Sequence, residues 1–194
     1  MLELIFPTPV WHQEVDPSVI KNQIDRNVND DDFVLRDKWF SNVYMTTETF
    51  TEDIISDKKL NLLETIIDNC LVNYTDQLGY KPKPYTRTSW FSMYKGGEKN
   101  YAHVHNHNDA DISGVYYHKT NGSDGDIYFK TPNPFLDSTK CFKSAGNPVS
   151  VSPKEGMLIL FPGWLQHGVR TNITNDTKIS LSFNIYYDKD GSTN

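Results

Sequence analysis

The chain has 194 residues, a formal net charge of −6 and 37% hydrophobic residues. This length suits one folded domain over residues 1–194 with a sizeable core. The negative charge argues against a protein held to nucleic acid by bulk electrostatics, because phosphate binding needs a basic surface.

The first part of the chain, about residues 14–80, predicts helical support. A helix is expected from Ser18 to about Val28, because the preceding Asp16 can cap free amides and Pro17 suits a first turn. A longer helix is expected from about Asp57 to Gln77 and ends at Gly79. Its buried stripe, at three-and-four spacing, comprises Leu63, Ile66, Ile67, Cys70, Leu71 and Tyr74.

A β-rich core is predicted over about residues 86–188, where short alternating or aromatic runs are divided by Gly, Pro, Asn and Asp. The expected strands lie near Thr86–Tyr94, Ala102–His107, Ile112–His118, Asp126–Lys130, Val149–Ser152, Met157–Phe161, His167–Thr171 and Lys178–Tyr187. Between them, Thr131–Pro148 predicts a long loop and a candidate lid. Eight short strands with a helical flank predict a mainly β fold, a jelly-roll barrel supported by the N-terminal helices.

Three of the six histidines, His103, His105 and His107, fall at alternate positions of one predicted strand. Alternate residues of a strand project to one face, so these imidazoles are expected to point the same way, with Asp109 continuing the row. His167 stands alone behind an apolar run and a turn. Two ligands from one strand and a distant His from another predict a three-ligand metal face with open positions, the arrangement that non-heme Fe(II) oxygenases use.

The last predicted strand alternates between apolar odd positions and polar even positions from Lys178 to Tyr186. If the apolar face packs on the helices, the polar face must line the barrel interior, where a lysine is costly unless it meets an anion. The alternative is an edge strand whose polar face lies in water. Lys178 follows His167 closely enough to lie on a neighbouring strand, within reach of something bound to the metal.

The two cysteines, Cys70 and Cys141, are far apart and lack metal-type spacing. They predict neither a disulfide framework nor a zinc ribbon. The sequence also contains no signal-peptide pattern and no uncharged apolar run of roughly 18 residues. We therefore expect a cytoplasmic protein that does not span a membrane.

Six motifs occur in order: His105–His107, Ile112–Tyr117, Asp126–Phe129, Pro153–Pro162, His167–Val169 and Lys178–Asn184. Together they resemble the 2-oxoglutarate and Fe(II)-dependent oxygenases, and more narrowly a branch of that superfamily known largely from bacterial and phage sequences. The resemblance implies a double-stranded β-helix (jelly-roll) fold. It also implies Fe(II) as cofactor, with 2-oxoglutarate and O2 as cosubstrates.

Carried over by position, the resemblance implies His105 as the first iron ligand and His167 as the distal one. The superfamily usually places Asp or Glu two residues after the first His, where this chain has His107. Two ligand sets remain open. Either three histidines hold the metal, or the register moves by two, so that His107 and Asp109 supply the usual His and carboxylate.

The resemblance also implies which residues bind the far carboxylate of 2-oxoglutarate. The superfamily usually has Arg there, followed two residues later by Ser or Thr, and this chain has Lys178 and Ser180. Lysine offers a point charge in place of a bidentate fork. Tyr117 matches a tyrosine that donates to the same carboxylate in related hydroxylases, and its alternative role is that of an aromatic core residue.

The implied activity is hydroxylation of a C–H bond, with prolyl hydroxylases as the nearest analogy and a peptide as one candidate substrate. An analogy of fold and motif does not identify the substrate. Trp90 is a candidate substrate contact, and Arg170 could bind an acidic group on the substrate or pair with a surface carboxylate.

Two other functions are compatible with the histidines. A cupin-type metalloenzyme that needs no 2-oxo acid would share the barrel and the paired histidines, although it would normally add a Glu soon after His107. A non-catalytic binding barrel would need no intact metal site.

Overall fold

The computed structural model describes residues 7–36, 42–47, 52–81, 84–133, 135–136 and 146–188. Cys141 and much of the predicted loop Thr131–Pro148 lie outside these residues. The helices are α1 (Pro17–Asn27), α2 (Ile54–Asp57) and α3 (Asn61–Gln77), with a 3₁₀ turn at Asp30–Asp32. The strands are β1 (Trp11–Glu14), β2 (Val34–Arg36), β3 (Val43–Met45), β4 (Tyr85–Tyr94), β5 (Ala102–His105), β6 (Ile112–Lys119), β7 (Ile127–Phe129), β8 (Val149–Val151), β9 (Met157–Pro162), β10 (His167–Val169) and β11 (Lys178–Tyr187).

The strands form two antiparallel sheets. The major sheet has seven strands in the order β1-β9-β6-β11-β4-β3-β2, and the minor sheet has four in the order β5-β10-β7-β8. This confirms the predicted mainly β fold with flanking helices. Among the described residues no strand pair joins the two sheets at their edges, so the jelly roll is not a closed barrel.

The outer face of the major sheet packs against the helices. Period-two alternation puts Leu181, Phe183 and Ile185 of β11 on this face. The stripe predicted on α3 meets them, with Leu63, Ile67, Cys70, Leu71 and Tyr74 buried. Burial of this apolar surface is the main force that holds the helices on the sheet.

The inner face of the major sheet packs against the minor sheet. Val115, Tyr117 and Phe161 of the major sheet form one buried cluster with Ile127 and Phe129 of the minor sheet. The Phe129 and Phe161 rings meet edge to face at 5.0 Å. The space between the sheets that this cluster leaves open holds the candidate site.

The N-terminal part of the chain is not only helical support. It also contributes β1, which pairs with β9, and β2 and β3, which extend the major sheet beyond β4. These strands have three or four residues each. Such short segments show too little alternation for a pattern to reveal them.

The predicted helix over Asp57–Gln77 starts later than expected. Lys59 has a φ of 51°, which interrupts the helical path and separates α2 from α3. Other boundaries differ by few residues. At the predicted first helix, the Asp16 side chain accepts a hydrogen bond from the Ser18 amide at 3.0 Å, and Gly79 follows α3 with a φ of 71°, as the sequence predicts.

The strand predicted over Ala102–His107 ends at His105. The chain leaves the strand because the backbone N–H of His107 donates to the Gly163 carbonyl at 2.8 Å, outside the sheet ladder. Elsewhere, the helices in the described part of the chain lack the length and apolarity needed to cross a lipid bilayer.

Candidate functional site

Three histidines from two segments converge between the sheets. His105 ends β5, His107 lies two residues beyond it, and His167 begins β10, where it pairs with His105. The ring centroids lie 4.4 Å apart for His105 and His167, 5.2 Å for His105 and His107, and 5.6 Å for His107 and His167. One ligand atom from each ring lies within 4.8 Å of the others.

Backbone carbonyls orient two of these rings. The Nδ1 atoms lie 2.8 Å from the His103 carbonyl for His105 and 2.8 Å from the Leu165 carbonyl for His167. Since a carbonyl only accepts, each Nδ1 must carry the proton and donate it. The Nε2 lone pair of each ring is then left as a metal ligand, the arrangement that holds histidines at metal centres.

Burial keeps the three imidazoles neutral. Burial, with a smaller contribution from the neighbouring imidazoles, lowers the pKa of His167 to about 3 and that of His107 to about 4. Burial also lowers the pKa of His105. A metal ion therefore meets no competing protons on these rings near neutral pH.

Tight backbone packing fixes His107 although it lies outside a strand. The hydrogen bond from its N–H to the Gly163 carbonyl joins its loop to the turn that precedes His167. A Cβ atom at Gly163 would lie 2.3 Å from the Ala110 carbonyl oxygen and 2.7 Å from that of His107. Only glycine permits this approach, so the two segments that carry the histidines are held together.

The structure does not bring Asp109 into this cluster. Asp109 is exposed in a turn, and among the described residues the group able to hold a metal comprises His105, His107 and His167 alone. The strand ends at His105, so Asp109 does not continue the row of side chains that was expected along it. His103 lines the same cavity, but its ring is outside the three-histidine group.

Lys178 is buried at the start of β11 with an exposed fraction of 1%. Its ammonium group donates to the Gly125 carbonyl at 2.5 Å and lies 4.4 Å from the centre of the Tyr94 ring. Burial lowers its pKa to about 8, while the charges of Asp124 and Asp126 act in the opposite direction. Among the described residues no carboxylate hydrogen-bonds to this ammonium group, so the buried cation can be neutralised by an anionic ligand.

Two further predicted residues lie beside Lys178. Ser180 and Tyr117 face each other across β11 and β6, and both are buried and line the cavity. Burial raises the pKa of the Tyr117 hydroxyl, so it remains a hydrogen-bond donor. Tyr94, which the sequence offered as part of an aromatic rim, lies opposite Lys178 on β4 and lines the cavity.

The cavity that contains these groups has a volume of about 280 Å³. The histidines lie on its minor-sheet wall, and β4, β6 and β11 form its major-sheet wall. Even-numbered residues of β11 line it, namely Lys178, Ser180, Ser182 and Asn184. The sequence pattern had placed this face either in the interior or in water, and the structure places it in the interior.

Of the two predicted substrate contacts, one lines the cavity and the other does not. Trp90 lines the cavity, and its ring lies 5.8 Å from that of His107. Arg170 is exposed, faces Tyr128 at 4.9 Å and Ser150 at 3.4 Å, and does not line the cavity. Arg170 lies three residues after His167, so alternation turns its side chain to the opposite face, and a substrate contact at Arg170 remains a prediction.

Comparison with protein families supports the sequence resemblance. Residues 88–184 match the family described as "Putative 2OG-Fe(II) oxygenase". No curated protein matches the chain.

Solved structures share the fold. A prolyl-4-hydroxylase from Pseudomonas putida has 12% identity and a TM-score of 0.63, with 93% of this chain and 94% of that chain covered. HygX from Streptomyces hygroscopicus, with nickel and 2-oxoglutarate bound, has 11% identity and a TM-score of 0.62, covering 93% and 83%. A Trichoplax adhaerens prolyl hydroxylase in complex with a hypoxia inducible factor peptide fragment has 13% identity and a TM-score of 0.54, covering 88% of each chain.

Proposed function

Since the chain belongs to the 2OG-Fe(II) oxygenase family, and is therefore an enzyme that depends on Fe(II) and 2-oxoglutarate, we propose that it hydroxylates a C–H bond of its substrate. The observation that carries this proposal is the meeting of three neutral imidazoles and one buried lysine in a single cavity. Family membership favours this function over a cupin-type enzyme without 2-oxoglutarate and over a non-catalytic barrel.

In this proposal His105, His107 and His167 hold the iron. The fit rests on their converging ligand atoms and on the carbonyls that direct two of the Nε2 atoms. Bound Fe(II) supplies the redox chemistry that couples decarboxylation of 2-oxoglutarate by O2 to substrate oxidation. Three imidazoles add no negative charge, so the centre remains more positive than one with the family's usual carboxylate.

Lys178, Ser180 and Tyr117 bind the far carboxylate of 2-oxoglutarate in this proposal. The ammonium group supplies the charge, and the two hydroxyls can each donate a hydrogen bond to the carboxylate. All three are at most 4% exposed, so water competes weakly for the anion. The two ends of the cosubstrate are thus fixed separately, by the metal and by the lysine.

Trp90 forms part of the substrate-side wall in this proposal, beside His107. Its indole ring excludes water from that side of the histidine cluster and offers an apolar surface to the substrate. A peptidyl substrate is one possibility that such a wall admits.

The first test is an anaerobic titration of the metal-free protein with Fe(II) and then 2-oxoglutarate. We expect a weak visible charge-transfer band when the 2-oxo acid chelates the iron. Lys178→Ala should lose the band at the same cosubstrate concentration, since it lacks the cation. His167→Ala should bind no iron.

Two single substitutions distinguish between the two ligand sets that the sequence left open. His107→Ala should lower iron affinity by more than about tenfold, because loss of a ligand costs at least as much as loss of a group that only orients one, whereas Asp109→Ala should leave affinity unchanged. The opposite result would make Asp109 the ligand. Iron binding without the band in the wild type would contradict the cosubstrate assignment.

A further inference from the structure

Half of the polar face of β11 has no role in the proposed binding of 2-oxoglutarate. Lys178 and Ser180 serve the cosubstrate, while Ser182 and Asn184 continue the row along the same wall of the cavity. A strand rises about 3.4 Å per residue, so Asn184 lies about 20 Å along the strand from Lys178. The unassigned pair is therefore far from the cosubstrate anchor.

Asn184 is buried with a free hydrogen-bonding group. Only 4% of it is exposed, and its Oδ1 accepts a hydrogen bond from the Ser113 hydroxyl at 2.7 Å. Its Nδ2 group makes no hydrogen bond to any described residue and is not among the fully enclosed atoms that lack a partner, so it is open to the cavity that Asn184 lines. An amide donor that faces a cavity and has no protein partner is available to a ligand group that accepts a hydrogen bond.

Strand register places this pair beside the histidine cluster. Ser182 lies opposite Trp90, whose ring is 5.8 Å from that of His107. Ser113 lies opposite Phe161, whose ring is 4.7 Å from that of His167. A group held by Asn184 and Ser182 would therefore lie between the two aromatic rings that flank the proposed ligands.

The charge of the wall restricts what can bind. The lining residues include the cations Lys178 and Arg36 and, within the described part of the chain, no Asp or Glu. A cationic substrate group would enter without a counter-charge, which is unfavourable in a buried site. The free groups of Ser182 and Asn184 are neutral and suit an uncharged partner.

We propose that Asn184, with Ser182 and Trp90, forms the substrate subsite, and that it selects an uncharged amide carried next to an aliphatic ring or chain. The Asn184 Nδ2 group donates to the amide oxygen, and the Ser182 hydroxyl accepts from the amide N–H. Trp90 packs against the apolar part. This inference rests on the proposed function, since it takes the histidine cluster as the reacting centre.

The test uses three probes of matched shape and different charge: cyclopentanecarboxamide, cyclopentanecarboxylate and cyclopentylmethylamine. The protein is loaded with Zn(II), as a redox-inert stand-in for iron, and with 2-oxoglutarate. Ligand-observed saturation-transfer NMR then measures binding of each probe. We expect the carboxamide to bind more tightly than either charged probe.

The decisive variant is Asn184→Asp, which keeps the shape and the acceptor for Ser113 but replaces the amide donor by a carboxylate. We expect carboxamide binding to weaken by about tenfold, the size of one hydrogen bond to a buried group, and cyclopentylmethylammonium to become the preferred probe. Asn73→Asp is the matched control, because Asn73 is exposed on α3, and it should bind as the wild type does.

Two results would overturn the subsite. One is an unchanged probe ranking in Asn184→Asp, and the other is failure of all three probes to bind the loaded wild type. Failure of the proposed function is seen separately, as a missing charge-transfer band with Fe(II) and 2-oxoglutarate. A variant that forms this band normally and still changes its probe ranking supports the subsite independently of catalysis.

Discussion

Burial sets the protonation of the individual side chains in the cavity. It makes the three histidines neutral and brings the pKa of Lys178 down to about 8. The spacing of the histidines was visible in the sequence, but which of them converge was not, because Asp109 and His107 are equally placed by period-two alternation. The deciding contact, between His107 and Gly163, joins residues distant in the chain.

The lowered pKa of Lys178 predicts that 2-oxoglutarate binding depends on pH. The charged lysine attracts the cosubstrate carboxylate, so affinity should be full below pH 8 and fall as the pH rises through about 8. In Lys178→Arg the guanidinium stays charged throughout, and the affinity should remain flat between about pH 7 and 9.5. Titration with 2-oxoglutarate at each pH, followed by the charge-transfer band, measures the affinity of both proteins.

An equal decline in the arginine variant would assign the pH dependence to another group. Histidine titration would not produce it, since the pKa values of His107 and His167 lie near 4 and 3.

Individual elements differ in how far the sequence determines them. The bounds of β11 were predicted correctly because ten residues alternate without interruption. Strands β2 and β3 were missed because each has only three residues. A strand of that length is recognised from its hydrogen bonds to a neighbouring strand and not from its own sequence pattern. Which strands lie beside β11, and in what register, could be learned only from the structure, because both depend on how side chains fit across the sheet.

Packing between β6 and β11 gives a prediction at this scale. A Cβ atom at Gly114 would lie 2.2 Å from the Phe183 ring, so Gly114→Ala should lower the free energy of unfolding by about 1–3 kcal/mol. Phe183→Leu removes the ring edge. In the double variant the total loss should be smaller than the sum of the single losses, as expected for residues in contact.

Urea unfolding of the four proteins measures this coupling. Strict additivity would show that Phe183 is not what makes glycine necessary at residue 114.

At the scale of the whole molecule, an ionic junction joins the helices to the major sheet. Arg87 of β4 donates to Asp53, just before α2, at 2.8 Å and to Glu64 of α3 at 2.8 Å. Burial of the Asp53 carboxyl opposes its ionisation, but hydrogen bonds from Arg87, Ser56 and Ser89 outweigh burial, and its pKa is lowered. None of these residues belongs to the cavity, so the junction serves the architecture.

This junction predicts a specific sensitivity to acid. A carboxyl whose pKa is lower in the folded state stabilises the protein at pH values above its unfolded pKa, near 3.8, and loses that contribution as the pH falls further. Asp53→Asn should therefore be less stable than the wild type at neutral pH, and the difference should shrink below about pH 4. Thermal unfolding across this range measures the difference.

Asp76→Asn is the matched control, because Asp76 is exposed on α3, and it should change stability little at either pH. A difference between Asp53→Asn and the wild type that stays constant down to pH 2 would contradict a role for Asp53 ionisation.

The neutral character of the three imidazoles has a consequence for the enzyme between catalytic cycles. A centre that includes a carboxylate leaves an uncompensated buried anion whenever its metal departs, and that anion favours rearrangement or unfolding. Here departure of the metal leaves three uncharged rings, two of which remain hydrogen-bonded to backbone carbonyls, and Lys178 keeps its hydrogen bond to the Gly125 carbonyl. Loss and uptake of iron and cosubstrate therefore carry little electrostatic penalty for the buried side chains. We expect the metal-free protein to stay folded when the supply of iron varies with time.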